Sequence, residues 1–113
     1  LLDYSLSKGG LQTLSRNLAN ALCNDRVRVN HFNVGWVLTD REYHHQIEHG
    51  MAADWHKTVP QQFAPSGRLI MPEEIAAAAV YWLGDESRPV SGTVLELEQY
   101  SIIGRNPNKS PAK

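Results

Sequence analysis

Val27-Arg28-Val29-Asn30-His31-Phe32-Asn33-Val34, closed by Gly35, is the stretch on which the fold turns. β-branched residues at alternate positions followed by an apolar run predict a mostly buried strand. Upstream of it, Leu6, Leu11, Leu14, Leu18 and Leu22 recur mostly in steps of three and four, with Ala19 and Ala21 beside them. That spacing predicts an amphipathic helix from about Tyr4 to Cys23. Asp3 or a neighbouring serine is the expected start cap, and Asn24-Asp25 the stop. Helix, tight turn and buried strand form the second half of a βαβ unit in a parallel sheet. In open α/β sheets ligands bind beyond the carboxyl ends of the strands. Gly35-Trp36-Val37-Leu38-Thr39-Asp40 therefore stands at the expected binding edge.

The helix upstream opens with Tyr4-Ser5-Leu6-Ser7-Lys8. Residues four apart share a helix face, with Cβ atoms roughly 5–6 Å apart. A phenol thus lies beside an ammonium, and a nearby cation favours the phenolate. Such a tyrosine can exchange a proton with an alcohol or carbonyl oxygen, although Tyr-x-x-x-Lys pairs also occur on solvated faces. Gly9-Gly10 costs helix propensity, about 1 kcal/mol per glycine relative to alanine. It reads either as a close-approach point or as a weak first turn. Cys23 reads as a small core residue at the helix end.

Residues 40–65 differ in kind. Arg41, Glu42, Tyr43, His44, His45, Gln46, Glu48, His49, Trp55 and His56 make a polar, aromatic, histidine-rich stretch running into Pro60 and Pro65. One or two short helices on a mobile insertion that covers a site are expected. His45 and His49 with Glu48 lack the His-Glu-x-x-His pattern and an obvious third ligand, so solvated or substrate-facing histidines are expected and no metal. Met71-Pro72-Glu73-Glu74-Ile75 is a helix start, with proline near the first position and acids in the first turn. The apolar positions Ile75 to Leu83 continue that helix to Gly84-Asp85. Ser91-Gly92 is a turn, and Thr93 to Glu98 a final strand. The tail, 104–113, carries Pro107 and Pro111 and reads as irregular.

The 113 residues suffice for one small domain with a modest core. A hydrophobic content of 42% with 20% charge describes a globular rather than a disordered chain. A net charge of −1 gives no electrostatic basis for nucleic acid or an anionic membrane as partner. No apolar run is long enough to cross a bilayer. The single cysteine excludes an internal disulfide framework and suits a reducing, cytoplasmic setting. A chain that opens Leu-Leu-Asp directly before this helix reads as the continuation of a longer protein.

Taken in order, four segments resemble the C-terminal half of a single-domain short-chain dehydrogenase/reductase. Tyr4-x-x-x-Lys8 resembles the family's catalytic pair. Val29-Asn30 through Gly35-x-Val37-x-Thr39 resembles the strand and loop holding the nicotinamide end of the cofactor. Gly67-Arg68 with Pro72 to Ala76 resembles the start of the penultimate helix, and Ser91-Gly92 with Val94 to Glu98 the closing strand. The resemblance covers about Leu2 to Glu98. It implies the C-terminal part of a Rossmann-type, doubly wound parallel α/β sheet over 1–103, with 40–66 as the variable substrate-binding segment. It implies NAD or NADP as cofactor, a small-molecule alcohol or carbonyl substrate, and a homodimer or homotetramer as the full-length protein. Tyr4 would be the general acid/base. Lys8 would assist it and bond the nicotinamide ribose. Val37 would meet the carboxamide through its backbone, and Thr39 the diphosphate or carboxamide side.

Val34-Gly35 replaces the family's usual Pro-Gly, and Glu98-Gln99-Tyr100 its frequent Asp-Gly-Gly. No glycine-rich strand–turn–helix fingerprint occurs in the chain, and the family's catalytic serine has no counterpart here. The alternative reading is therefore a catalytically inactive module that keeps only the family's association surfaces.

Overall fold

The computed structural model describes residues 1–101. Its elements alternate as an α/β chain should. Helix α1 (Leu2–Ala21) passes through a 3-10 turn (Cys23–Asp25) into strand β1 (His31–Val34). Helix α2 (Asp40–Glu48), a 3-10 turn (Trp55–Lys57), helix α3 (Pro72–Leu83), a 3-10 turn (Asp85–Ser87) and strand β2 (Val94–Leu97) follow. The strands pair side by side. His31 N–H bonds Thr93 O at 2.9 Å and Gly35 N–H bonds Leu97 O at 2.8 Å, so the pairing advances in the same direction along both strands. The sheet is parallel, as expected. The 104–113 tail lies outside the described residues.

The described residues divide into two compact units. The first comprises Leu1–Asn33 and Ala76–Glu96. Its polar hub is Arg28, whose guanidinium donates to Ser87 Oγ (2.8 Å), Gly84 O (2.9 Å), Val90 O (3.3 Å) and Trp82 O (3.4 Å). A planar fork with several donors can serve these acceptors together, which a lysine could not. Helix α1 buries Ser15 and Ala19. Ala19 Cβ lies 3.5 Å from where a Cβ on Gly92 would stand, and the positive φ of Gly92 (77°) favours glycine there.

Several expectations for this unit are corrected. The leucine stripe of α1 is not its buried face: Leu6, Leu11, Leu14 and Leu18 are exposed and Leu22 is half-buried. Asp3 lies inside the first turn, and Leu1 occupies the cap position without a side-chain bond. Gly9 and Gly10 lie in the helix interior, so the pair is not a first turn, and no described residue comes within 4 Å of an added Cβ at either. Cys23 is exposed rather than a core residue. Strand β1 is shorter than its sequence pattern and only half buried, with Val34 exposed.

The second unit comprises Val34–Ile75 and the segment from Leu97. Trp55, Ala64 and Leu69 form its core, with Trp36, Leu38, Tyr43, Ile47 and Val59 packed around them. Trp36 and Trp55 stack at 5.9 Å with 22° between their planes. Trp55 Nε1–H donates to Tyr43 O at 3.2 Å, which satisfies the one polar atom the indole buries. The histidine-rich stretch thus folds around a tryptophan core of its own. An isolated parallel bridge, Val37 to Ile70, closes the base of this segment.

Candidate functional site

Tyr4 and Lys8 are brought together on α1. Lys8 Nζ stands over the Tyr4 ring, 5.6 Å from its centroid, a cation–π distance. Tyr4 is 63% exposed, so its hydroxyl is open to a ligand. The contact is to the ring face, and a rotation about the flexible lysine stem would carry the ammonium toward the hydroxyl.

Gly35, Val37 and Thr39 lie in the second unit, on the segment that leaves β1. Leu38 N–H bonds Ile70 O at 2.8 Å and Ile70 N–H bonds Trp36 O at 3.2 Å. In a parallel bridge those two bonds flank Val37 and turn its own N–H toward the opposite edge. Among the described residues that N–H makes no hydrogen bond, so it is a free donor at a strand's carboxyl end. Thr39 caps α2: its Oγ1 accepts Glu42 N–H at 3.0 Å, which leaves the hydroxyl proton to donate elsewhere. A free backbone donor beside an uncommitted hydroxyl fits the amide and oxyanion groups of a nicotinamide cofactor.

Glu98 and Gln99, marked in the sequence only as departures, organise the base of this segment. The Glu98 carboxylate accepts Trp36 N–H at 3.0 Å and Gln99 N–H at 2.7 Å. It lies so near the Gly35 backbone that a Cβ on Gly35 would collide with it. Glycine at 35 therefore leaves the Glu98 carboxylate its place; its φ is not positive. Gln99 accepts the Ser66 hydroxyl at 2.6 Å and Ser66 N–H at 3.1 Å, and its Nε2 donates to Arg68 O at 2.7 Å.

Arg68 and Glu74 tie the Gly67-Arg68 turn to the acidic start of α3. The two side chains pair through both guanidinium nitrogens, at 2.6 and 3.0 Å. Glu74 also accepts Met71 N–H at 2.8 Å, the reach-back bond of a capping box. The Arg68 guanidinium, then the Met71 N–H, hold the Glu74 carboxyl at about 2 instead of its ordinary 4.5.

The histidines do not converge. His44 and His49 donate through Nδ1 to the Asp40 and His45 carbonyls, both at 2.8 Å. His45 and His49 rings lie 4.3 Å apart, yet no group of three or more metal-binding side chains occurs among the described residues. Trp55, expected near substrate, is 2% exposed and belongs to the core.

Residues 2–99 match a family described as enoyl-(acyl carrier protein) reductase. The chain belongs to the short-chain dehydrogenase/reductase family. Among its relatives, 3-oxoacyl-(acyl-carrier-protein) reductase FabG of Chlamydia trachomatis is 31% identical over 96 residues, 85% of this chain and 36% of that protein. The 3-oxoacyl-(acyl-carrier-protein) reductase of Mus musculus is 36% identical over 92 residues, 81% of this chain and 34% of that protein. L-sorbose reductase from Gluconobacter frateurii, solved with NADPH and L-sorbose, superposes with a TM-score of 0.74 at 26% identity, over 84% of this chain and 38% of that one. The short-chain dehydrogenase/reductase segment seen here thus has the Rossmann-type α/β fold and spans about a third of the length of the curated relatives it matches. No helix among its described residues is long and apolar enough to cross a membrane.

Proposed function

We propose that this chain is part of an NAD(P)-dependent oxidoreductase acting on a small-molecule alcohol or carbonyl. The observation that carries the reading is the exposed Tyr4 phenol one helical turn from the Lys8 ammonium, in a family whose relatives here are reductases and dehydrogenases. In the oxidising direction the Tyr4 phenolate takes the substrate hydroxyl proton while the carbon-bound hydrogen leaves as hydride; in the reducing direction the phenol returns the proton to the carbonyl oxygen. A bound nicotinamide supplies or accepts that hydride. Lys8 stabilises the phenolate and bonds the ribose, Val37 N–H donates to the carboxamide, and the Thr39 hydroxyl donates beside it. Gly35 lets the segment pass the Glu98 carboxylate. NADPH on the Gluconobacter reductase supports the cofactor class, with NAD and NADP both admitted here.

Tyr4→Phe in the complete enzyme should abolish turnover and leave nucleotide binding intact, measured by absorbance at the reduced-nicotinamide band and by fluorescence titration. Retained turnover would overturn the role of Tyr4. The chain by itself, without a glycine-rich fingerprint, should bind NADH weakly or not at all.

The exposed apolar residues of α1 (Leu2, Leu6, Leu11, Leu14, Leu18) and of α3 (Val80, Leu83) favour a second reading, an inactive module that retains association surfaces. Homodimer or homotetramer formation through these helices fits either reading. A native start codon directly before Leu1, with no reductase activity, would select the module.

A further inference from the structure

The first unit carries a cleft of about 590 Å³ that the oxidoreductase chemistry does not use. Cys23, Arg26, Val27, Arg28, Arg88, Pro89 and Ser91 line it. Three of these seven side chains are guanidinium groups and none is a carboxylate.

The three arginines are held differently. Arg28 is fixed by four neutral acceptors, so its position is set and no carboxylate offsets its charge. It supplies a field more than contacts, since most of its donors are committed. Arg88 is paired with Asp85 at 3.0 Å in an exposed contact, one that a competing anion can replace at little cost. The Arg26 guanidinium makes no hydrogen bond or ion pair with the described residues, while its backbone N–H bonds Cys23 O at 3.1 Å in a left-handed conformation (φ 59°, ψ 30°). That conformation favours glycine, so the arginine stands where the backbone alone would select against it. Ser91 Oγ accepts Val29 N–H at 3.0 Å, which leaves its proton free to donate. A fixed cation, two adaptable guanidiniums and one free hydroxyl match the donor needs of a phosphoryl dianion. The volume exceeds that of a bare phosphate and falls within the range of small-ligand sites, about 300–1,000 Å³.

We infer that this cleft binds a phosphoryl dianion through Arg26, Arg88 and Ser91 in the field of Arg28. The site is independent of the nicotinamide reading and stands whether or not the protein turns over an alcohol.

Backbone and arginine side-chain resonances would be followed by NMR during titration with inorganic phosphate and, separately, glycerol 3-phosphate, with chloride at matched ionic strength as control. Saturable shifts confined to residues 23–28 and 88–91, absent with chloride, are expected. Tighter binding of glycerol 3-phosphate would assign the site to phosphate esters; equal binding would assign it to the free ion. Arg26→Gly suits the left-handed backbone and so keeps the turn, and it should weaken binding about tenfold, as the loss of one charge-assisted contact does. Arg88→Gln should do likewise. Linear shifts equal to those with chloride, or unchanged affinity in both variants, would overturn the inference.

Discussion

Gly35→Ala tests whether glycine is needed at the strand end by proximity to Glu98. An added Cβ would meet the Glu98 carboxyl group. That group terminates a flexible side chain, so rotation relieves the collision, and the cost is set by the bonds the carboxylate gives up. Those bonds are Trp36 N–H at 3.0 Å and Gln99 N–H at 2.7 Å. Hydrogen bonds to charged groups contribute about 1.5–3 kcal/mol, and partial exposure here lets water replace some of that, so a loss of about 2 kcal/mol is expected. For a domain of this size it lowers the melting temperature by about 10 °C. Without Glu98 the same substitution should be neutral or slightly stabilising, by up to about 0.5–1 kcal/mol, because alanine restricts the unfolded chain and Gly35 has no positive φ to protect. Urea denaturation of the parent, Gly35→Ala, Glu98→Ala and the double variant closes the cycle. An equal cost of Gly35→Ala in both backgrounds would refute the argument.

Glu74 gives a pH dependence of fixed sign. Its carboxyl titrates near 2 when folded and near 4.5 ordinarily, so its contribution is complete above about pH 4.5 and disappears as pH falls toward 2. The stability difference between parent and Glu74→Gln, followed by acid-range denaturation, should therefore be flat above pH 5 and shrink below it; a difference that persists unchanged to pH 2 would exclude the Arg68 pair as its source. Trp55→Ala should cost about 3–5 kcal/mol, since it empties the centre of a small core and removes the indole bond to the Tyr43 carbonyl. Chemical denaturation followed by far-ultraviolet circular dichroism reads it, and a cost below about 1 kcal/mol would contradict a core role.

The α/β alternation, the parallel pairing and the boundaries of α3 and β2 were legible because each rests on a local signal: periodicity, a proline start, a glycine stop. The burial of α1 was not legible. Its leucine stripe obeys the helical period, but periodicity gives the direction of an apolar face without saying whether this chain supplies what covers it. Trp55 misled for a related reason, as an aromatic residue among histidines has the composition of a binding surface as well as that of a small core. Tyr4 and Lys8 could be read because both lie on one helix. Glu98 and Gln99 could be marked as departures, yet their bonds to Trp36, Ser66 and Arg68 join residues 31 to 62 positions apart. No window of sequence contains both ends of such a contact.

The same separation governs how the protein reaches its native state. β1 and β2 are neighbours in the sheet, yet Thr93 N–H finds Asn30 Oδ1 across 63 positions of chain. A hairpin closes within microseconds, whereas a parallel pair must wait until everything between its strands has been gathered in. The helices can flicker into existence early, on a timescale of about 0.1–1 μs. The β1–β2 pairing beside Gly35 and Val37 is therefore expected to follow the helices, and ribosomal synthesis must deliver Thr93 to Leu97 before that pairing exists at all.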